Sequence, residues 1–331
     1  MKQIQDVLSS LKSDLKKIDE IILNFSVGKS ALIQEIARHL ISSGGKRIRP
    51  IIVILAAKLC GSKDGDVDYS NLGAAVEMIH TATLLHDDVV DNSEIRRGKK
   101  TSNAIWDNKA SILVGDYLFS VAFQLMVLSK NLQVLDLLAK TSSTMADGEV
   151  MQLENSSDLD ISQDKYFEII FGKTAVLFSA SAEVGALVNN RSVEEILALR
   201  EFGKNLGIVF QIVDDMLDYS SKEQVLGKDL GNDFFEGKVT LPIILTYQKA
   251  DLEDKKIIKD LFDKNLMSSE KNQEDFAVIL KLIEKYQGLE MSGKTALNYH
   301  EQALKSLSLF ADCEAKDGLV VILDYAISRI F

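Results

Sequence analysis

Proline is nearly missing from this chain: its 331 residues hold two, Pro50 and Pro242. Proline removes a backbone donor and blocks helix interiors, so its scarcity leaves long stretches free to be helical. Cysteine is equally rare, with Cys60 and Cys313 alone. Neither has a Cys-x-x-Cys partner, which fits a reducing compartment and no disulfide framework. Long apolar runs are lacking too. The longest, Ile51 to Ala57, is far short of the ~20 residues of a membrane-spanning helix. The opening residues, Met1 to Asp6, mix charges and lack the apolar stretch of a signal peptide. Positive charge is in deficit: 38 Lys and Arg against 49 Asp and Glu give −11, which argues against nucleic acid. These absences point to a cytoplasmic protein without a transmembrane segment.

What is present is helix. Apolar residues make up 46%, normal for a globular core. Residues 3–23 carry a helical stripe, Ile4, Val7, Leu8, Leu11, Leu15, Ile18 and Ile22. The pattern predicts further helices over 30–41, 50–60, 69–91, 108–129, 131–154, 162–189, 193–221 and 240–249, with more to 329. Segment 227–237 is a polar, Gly-spaced loop, a candidate lid. No composition break or tandem repeat marks a boundary. The expectation is an all-α protein, one domain over 1–331, with strands absent or minor.

Two aspartate triplets share one spacing: Asp87-Asp88-Val89-Val90-Asp91 and Asp214-Asp215-Met216-Leu217-Asp218. On a helix the first and last Asp of each lie one turn apart, within roughly 40° of each other, and the middle one leans away. Like charges so placed cost helix stability by a few tenths of a kcal/mol. Their repetition points to a cation. Asp-x-Asp-x-Asp-Gly calcium loops are excluded by the missing glycine and glutamate, and di-iron bundles because they need two Glu-x-x-His motifs where the chain has one, Glu77 to His80. An aspartate cage without histidine favours Mg²⁺, which shares its coordination with phosphates.

Cationic groups lie near. Lys46-Arg47-Ile48-Arg49 follows a Gly-Gly turn, and Arg96-Arg97-Gly98-Lys99-Lys100 follows the first triplet. They are either solvated loop ends or sites for two phosphorylated substrates. Lys173-Thr174 stands among apolar neighbours, where a lysine is expensive unless it meets an anion. Gln211 lies three residues before Asp214. It makes either an interhelical hydrogen bond or a contact to a developing cation. His80 shares the face of Asp87 to within about 20°, although a lone histidine there also reads as a core residue. His86, His39 and His300 belong to no constellation.

These stretches, with Gly44 to Pro50, Gly172-Lys173-Thr174 and Gly227 to Pro242, resemble the motifs of the trans-polyprenyl diphosphate synthases, in that family's order. The resemblance implies an isoprenoid-synthase-type helical bundle around a central deep cavity, and a homodimer. It implies condensation of an allylic diphosphate with successive isopentenyl diphosphates. Asp87, Asp91 and Asp214 would hold three Mg²⁺, with Asp88, Asp215 and Asp218 supporting. Arg96, Lys173, Gln211 and Lys228 would hold the allylic diphosphate, with Lys238 nearby. Lys46, Arg49, His80 and Arg97 would hold isopentenyl diphosphate. Thr174 and Gln211 would stabilise the cation. The product is lipidic, so the protein is at most peripheral to a membrane.

Product length is expected to depend on Ala82 and Thr83, ~6–7.5 Å up the helix from Asp87. Both are small where short-chain enzymes of the family carry an aromatic floor. The resemblance therefore implies a long, octaprenyl-class product for quinone side chains. The plainer alternative is that Ala82 packs helices and the floor lies deeper, at Phe119, Phe123 or Met126. Competing readings are a shorter-chain synthase, a terpene cyclase and a non-catalytic subunit. The paired basic groups oppose the second of these, and the intact triplets oppose the third.

Overall fold

The computed structural model describes residues 3–26, 30–42, 45–64, 66–96, 98–220, 230–267 and 271–330. In chain order its helices are α1 (Ile4–Ser10), α2 (Lys12–Ser26), α3 (Ala31–Ser42), α4 (Ile48–Leu59), α5 (Val67–Val90), α6 (Ser102–Ile105), α7 (Asn108–Leu128) and α8 (Leu132–Glu154). Then come α9 (Gln163–Ile170), a π-helical turn (Phe171–Ala175), α10 (Val176–Val188), α11 (Val193–Asp218), α12 (Asn232–Phe235) and α13 (Leu241–Lys249). The chain continues with α14 (Leu252–Leu266), α15 (Gln273–Lys285), α16 (Gly288–Ser306), a 3₁₀ turn (Leu307–Leu309) and α17 (Glu314–Ser328). Among the described residues, strand is limited to β1 (Ile95–Arg96) and β2 (Lys99–Lys100), an antiparallel pair with Ile95 opposite Lys100. The protein is all-α.

Three details differ from the sequence reading, one being that the loop expected over 227–237 holds the helix α12, with Phe234 buried. The first predicted helix is two, broken at Leu11, though Leu11 N–H still bonds to Val7 O and Leu15 N–H to Leu11 O. The predicted helix over 162–189 contains the π turn, which hydrophobic periodicity does not report. By helix length and mean hydropathy, rather than by uninterrupted runs, two segments qualify as long and apolar enough to cross a membrane. They are Asn108–Leu128, less than half of whose apolar stretch is buried, and Gln163–Val188, most of whose apolar stretch is buried. Burial of that extent marks the second as a core helix.

The chain forms two compact units. The first comprises Met1–Ser143, Leu177–Gly203 and Leu304–Leu323; the second comprises Thr144–Val176, Lys204–Ala303 and Asp324–Phe331. Each draws on three separate stretches, so a composition break could not have announced them.

In the first unit α5 is central, and α2, α4, α6 and α7 pack on it. It is apolar nearly all round, with Leu72, Val76, Met78, Ile79, Ala82 and Leu85 buried. Small residues allow the close approaches. A Cβ on Gly73 would stand 2.7 Å from Ile18 of α2, and one on Gly115 of α7 would run into the His86 ring. His86 is therefore a packing residue, and its Nε2 lies 3.3 Å from Ile112 O. One buried acid, Asp14, ties three helices by accepting from Tyr69 Oη and Lys58 Nζ, both at 2.8 Å.

In the second unit an aromatic cluster of Phe234, Phe235, Phe262, Phe276 and Tyr219 joins α12, α14, α15 and the end of α11. Gly231, with φ 79°, has no room for a Cβ, since the Phe276 ring lies 2.7 Å from where one would be.

Candidate active site

The first triplet closes α5. Asp91 N–H bonds to Asp87 O at 2.8 Å, so the helical turn runs through the motif. Asp87 and Asp91 are half-buried; Asp88 between them is buried. Arg96 Nε donates to Asp88 Oδ1 at 2.7 Å, and Asn103 donates to the Asp88 carbonyl. Burial lifts the Asp88 carboxyl above its usual range. Arg96 pulls it back in part, and Asp91 adds to the rise. Arg96 is thus engaged with the middle aspartate while its side chain stays 38% exposed.

The second triplet ends α11 in the other unit. Asp215 is buried, accepting from Tyr166 Oη at 2.6 Å and from Gln211 Nε2 at 2.7 Å. Its carboxyl is pushed up to about 7, chiefly by burial, and further by the charges of Asp214 and Asp218; the bonds from Tyr166 and Gln211 oppose the shift. Tyr166, fully enclosed beside it, is raised well above the ordinary phenol range by burial and then by Asp215. Asp218 accepts from the backbone N–H groups of Asn232 and Asp233, which makes it an anchor for α12 after the loop. Asp233 is raised well above the carboxylate range by lost solvent and by Asp218 and Asp215. Asp214 points to the half-open side and pairs with Arg329 Nη1 at 2.6 Å; that guanidinium also lies 5.1 Å over the Phe210 ring.

The π turn places Lys173 and Thr174. Gly148 of α8 and Gly172 touch backbone to backbone, with a Cβ on Gly148 only 2.5 Å from Lys173 N. Lys173 Nζ meets its anion: Glu149 Oε2 at 2.8 Å, with Gln152 Oε1 at 2.6 Å. Thr174 Oγ1 donates to Gln211 Oε1 at 2.7 Å, so Gln211 does make the interhelical hydrogen bond. Thr174, Gln211, Asp215 and Tyr166 form one chain of hydrogen bonds. A cleft is lined by Gln152, Tyr166, Lys173, Gln211, Asp215 and Lys238. Lys238 Nζ donates to Glu236 at 2.7 Å.

In the first unit Lys46 is exposed, while Arg49 and His80 are half-buried. The Arg49 guanidinium sits 4.5 Å over the Phe178 ring. Ala82 is fully buried in a cluster with Ile36, Leu85, Ala110, Val114 and Leu118, against which Phe119 packs. Thr83 donates to His80 O at 2.9 Å. Phe123 is 38% exposed and Met126 buried. Arg97, Lys228 and the start of the candidate lid, residues 227–229, lie outside the described residues.

Among the described residues no three His, Cys, Asp or Glu side chains converge as a metal cage. Mg²⁺ uses one or two carboxylates and completes its shell with substrate phosphate and water. Asp87, Asp91 and Asp214 offer such oxygen donors, so the residues fit Mg²⁺.

Sequence reasoning did not find Tyr166, Glu149, Gln152, Asp233 or Arg329. Tyr166 stands 49 residues from the aspartate it serves, and no local pattern links them. Glu149 and Gln152 had a signal, the expense of a Lys173 among apolar neighbours, but not an address.

The profile of the polyprenyl synthetase family matches residues 30–281. The chain is 36% identical to the all-trans-nonaprenyl-diphosphate synthase (geranyl-diphosphate specific) of Rhodobacter capsulatus, over 98% of each. It is 35% identical to the octaprenyl diphosphate synthase of Escherichia coli K12, over 96% of this chain and 99% of that one. Its fold matches, with TM-score 0.91 and 39% identity over 98% of each chain, a polyprenyl synthase from Caulobacter crescentus CB15 complexed with calcium and isoprenyl diphosphate.

Tyr166→Phe removes a hydroxyl donor from a sealed carboxylate. It is expected to cost about 1–3 kcal/mol of stability, read as a lower urea midpoint. A midpoint equal to that of the parent would contradict this arrangement.

Proposed function

Because the chain belongs to the polyprenyl synthetase family, we propose that it extends farnesyl diphosphate or a similar allylic diphosphate with successive isopentenyl diphosphates. The product is an all-trans polyprenyl diphosphate of octaprenyl class, for quinone side chains. The observation that carries this reading is the division inside each triplet. The middle carboxylate is sealed against protein donors, while Asp87, Asp91 and Asp214 stay at half-buried helix ends. The nonaprenyl and octaprenyl relatives, and the small residues Ala82 and Thr83, support the long product.

Asp87, Asp91 and Asp214 would hold the divalent cations, three Mg²⁺ in this reading, whose charge would offset that of the departing diphosphate. Asp88 and Asp215 orient their neighbours, and Asp218 holds α12. Arg96, Lys173, Lys228 and Lys238 bind the allylic diphosphate. Lys173, on the π turn, exchanges its bond to Glu149 for one to a phosphate oxygen. Thr174 and Gln211 set oxygen dipoles towards the allylic cation. Apolar walls keep water from it. Lys46, Arg49, His80 and Arg97 hold isopentenyl diphosphate, whose double bond attacks the cation. The released diphosphate accepts the proton, so no side-chain base is required.

Incubation with Mg²⁺, farnesyl diphosphate and isopentenyl diphosphate is expected to yield products near the octaprenyl length by chromatography; a stop at geranylgeranyl length supports the shorter-chain alternative instead. Ala82→Tyr is expected to shorten the product sharply while the first condensations continue. Unchanged product length removes Ala82 as a determinant of chain length.

Asp87→Ala and Asp214→Ala are each expected to lower turnover by a hundredfold or more, with substrate binding changed far less. Turnover within tenfold of the parent in either variant contradicts their role as cation ligands.

The chain also forms a homodimer in this reading. Helix α7 buries one face in its own unit, and its other face still shows Leu113 at 66% and Val127 at 60% exposure. Sedimentation is expected at twice the 36.7 kDa chain mass, falling to one chain mass in Leu113→Glu/Val127→Glu. A monomeric parent refutes the dimer.

A further inference from the structure

Of the cations in Lys46-Arg47-Ile48-Arg49, the proposed function uses Lys46 and Arg49 and leaves Arg47 without a role. The structure treats Arg47 differently from both. Lys46 is exposed and Arg49 lies over the Phe178 ring, whereas the Arg47 side chain keeps only 15% of its surface. Arg47 Nη1 donates to Glu77 Oε1 at 2.5 Å, and Nη2 lies 3.2 Å from Asp19 Oδ1. Glu77 is buried on α5, and Asp19 stands on α2.

The backbone of Arg47 is as constrained as its side chain. Its φ of 50° and ψ of 37° are left-handed, an uncommon conformation for a residue with a Cβ. Its carbonyl accepts from Ile51 N–H at 3.0 Å and so starts α4. One residue therefore begins α4 and binds α5 and α2 through its guanidinium. Glu77 is three residues before His80, so the ion pair and His80 share one stretch of α5. The forked guanidinium fixes direction as well as distance, which an ammonium does not.

Two carboxylates compensate the charge of Arg47, which makes it a poor diphosphate ligand and a good strut. We infer that Arg47 is a positioning residue. Its ion pair with Glu77 locks the start of α4, with Lys46 just before it and Arg49 in its first turn, in register with His80, and so sets the affinity for the second, isopentenyl diphosphate. This rests on the proposed function.

The test is calorimetric titration of the full chain with isopentenyl diphosphate, beside steady-state KM values for both substrates. Arg47→Gln is expected to weaken isopentenyl diphosphate binding tenfold or more, with the KM for farnesyl diphosphate within twofold of the parent. Arg47→Lys is expected to fall between. Arg47→Gln alone leaves Glu77 buried without its countercharge, and part of its effect would be instability. Arg47→Gln/Glu77→Gln removes both charges, and is expected to regain the parent's melting temperature but not its affinity for isopentenyl diphosphate. Affinity that returns with the melting temperature, parental affinity in Arg47→Gln, or equal loss for both substrates overturns the positioning role. A parent chain that binds no isopentenyl diphosphate overturns the functional reading, and this inference with it.

Discussion

A carboxylate removed from water must find donors or give up its charge, and both aspartate triplets are arranged around that requirement. In each, the middle aspartate goes inward and is satisfied by protein: Asp88 by Arg96, and Asp215 by Tyr166 and Gln211. This spends the inward-facing position of the helix end on a fixed partner. It leaves Asp87 and Asp91 one turn apart on the more open side of the first helix end, and Asp214 on that of the second, where Asp218 instead holds α12. The donors come from different kinds of element, a short hairpin in one unit and the helices α9 and α11 in the other, yet in both the middle carboxylate is met by protein. The remaining features of each site follow from keeping that helix end in place.

The supports differ accordingly. In the first unit α5 is locked by close packing, with α2 and α7 brought near by Gly73 and Gly115. Ala82 belongs to that packing, so its small size serves helix contact as well as any role towards a growing chain. In the second unit polar contacts do more of the work. Asp218 ties the return of the chain to the end of α11, and Thr174 reaches Gln211 across helices. Buried polar chains of this kind fix orientation because each member has few alternatives.

Much of this was legible in the sequence. Helix after helix announced itself through apolar spacing and through the absence of proline, and the triplet spacing alone separates Asp88 and Asp215 from their neighbours. The sequence shows that Lys173, among apolar neighbours, needs an anion, though not that the anion is Glu149. What stayed hidden depends on partners far apart in the chain. Tyr166 looks like any aromatic on an amphipathic helix, and Arg329 like a solvated helix end. Arg47 reads as one more cation in a basic run, because sequence cannot show which way an arginine turns. The π turn was invisible because it leaves composition untouched and alters only the bonding pattern.

That turn has a consequence for how such a helix is built. A π turn amounts to one surplus residue in an otherwise α-helical run, so the residues after it are out of phase with those before. The stripe that α9 lays down therefore does not continue along the same azimuth in α10. At the slip, adjacent residues can answer to different neighbours: Lys173 bonds to α8 and Thr174 to α11. A frame shift of a single residue thus gives a two-way junction within one continuous helix, without the flexibility that a loop would bring.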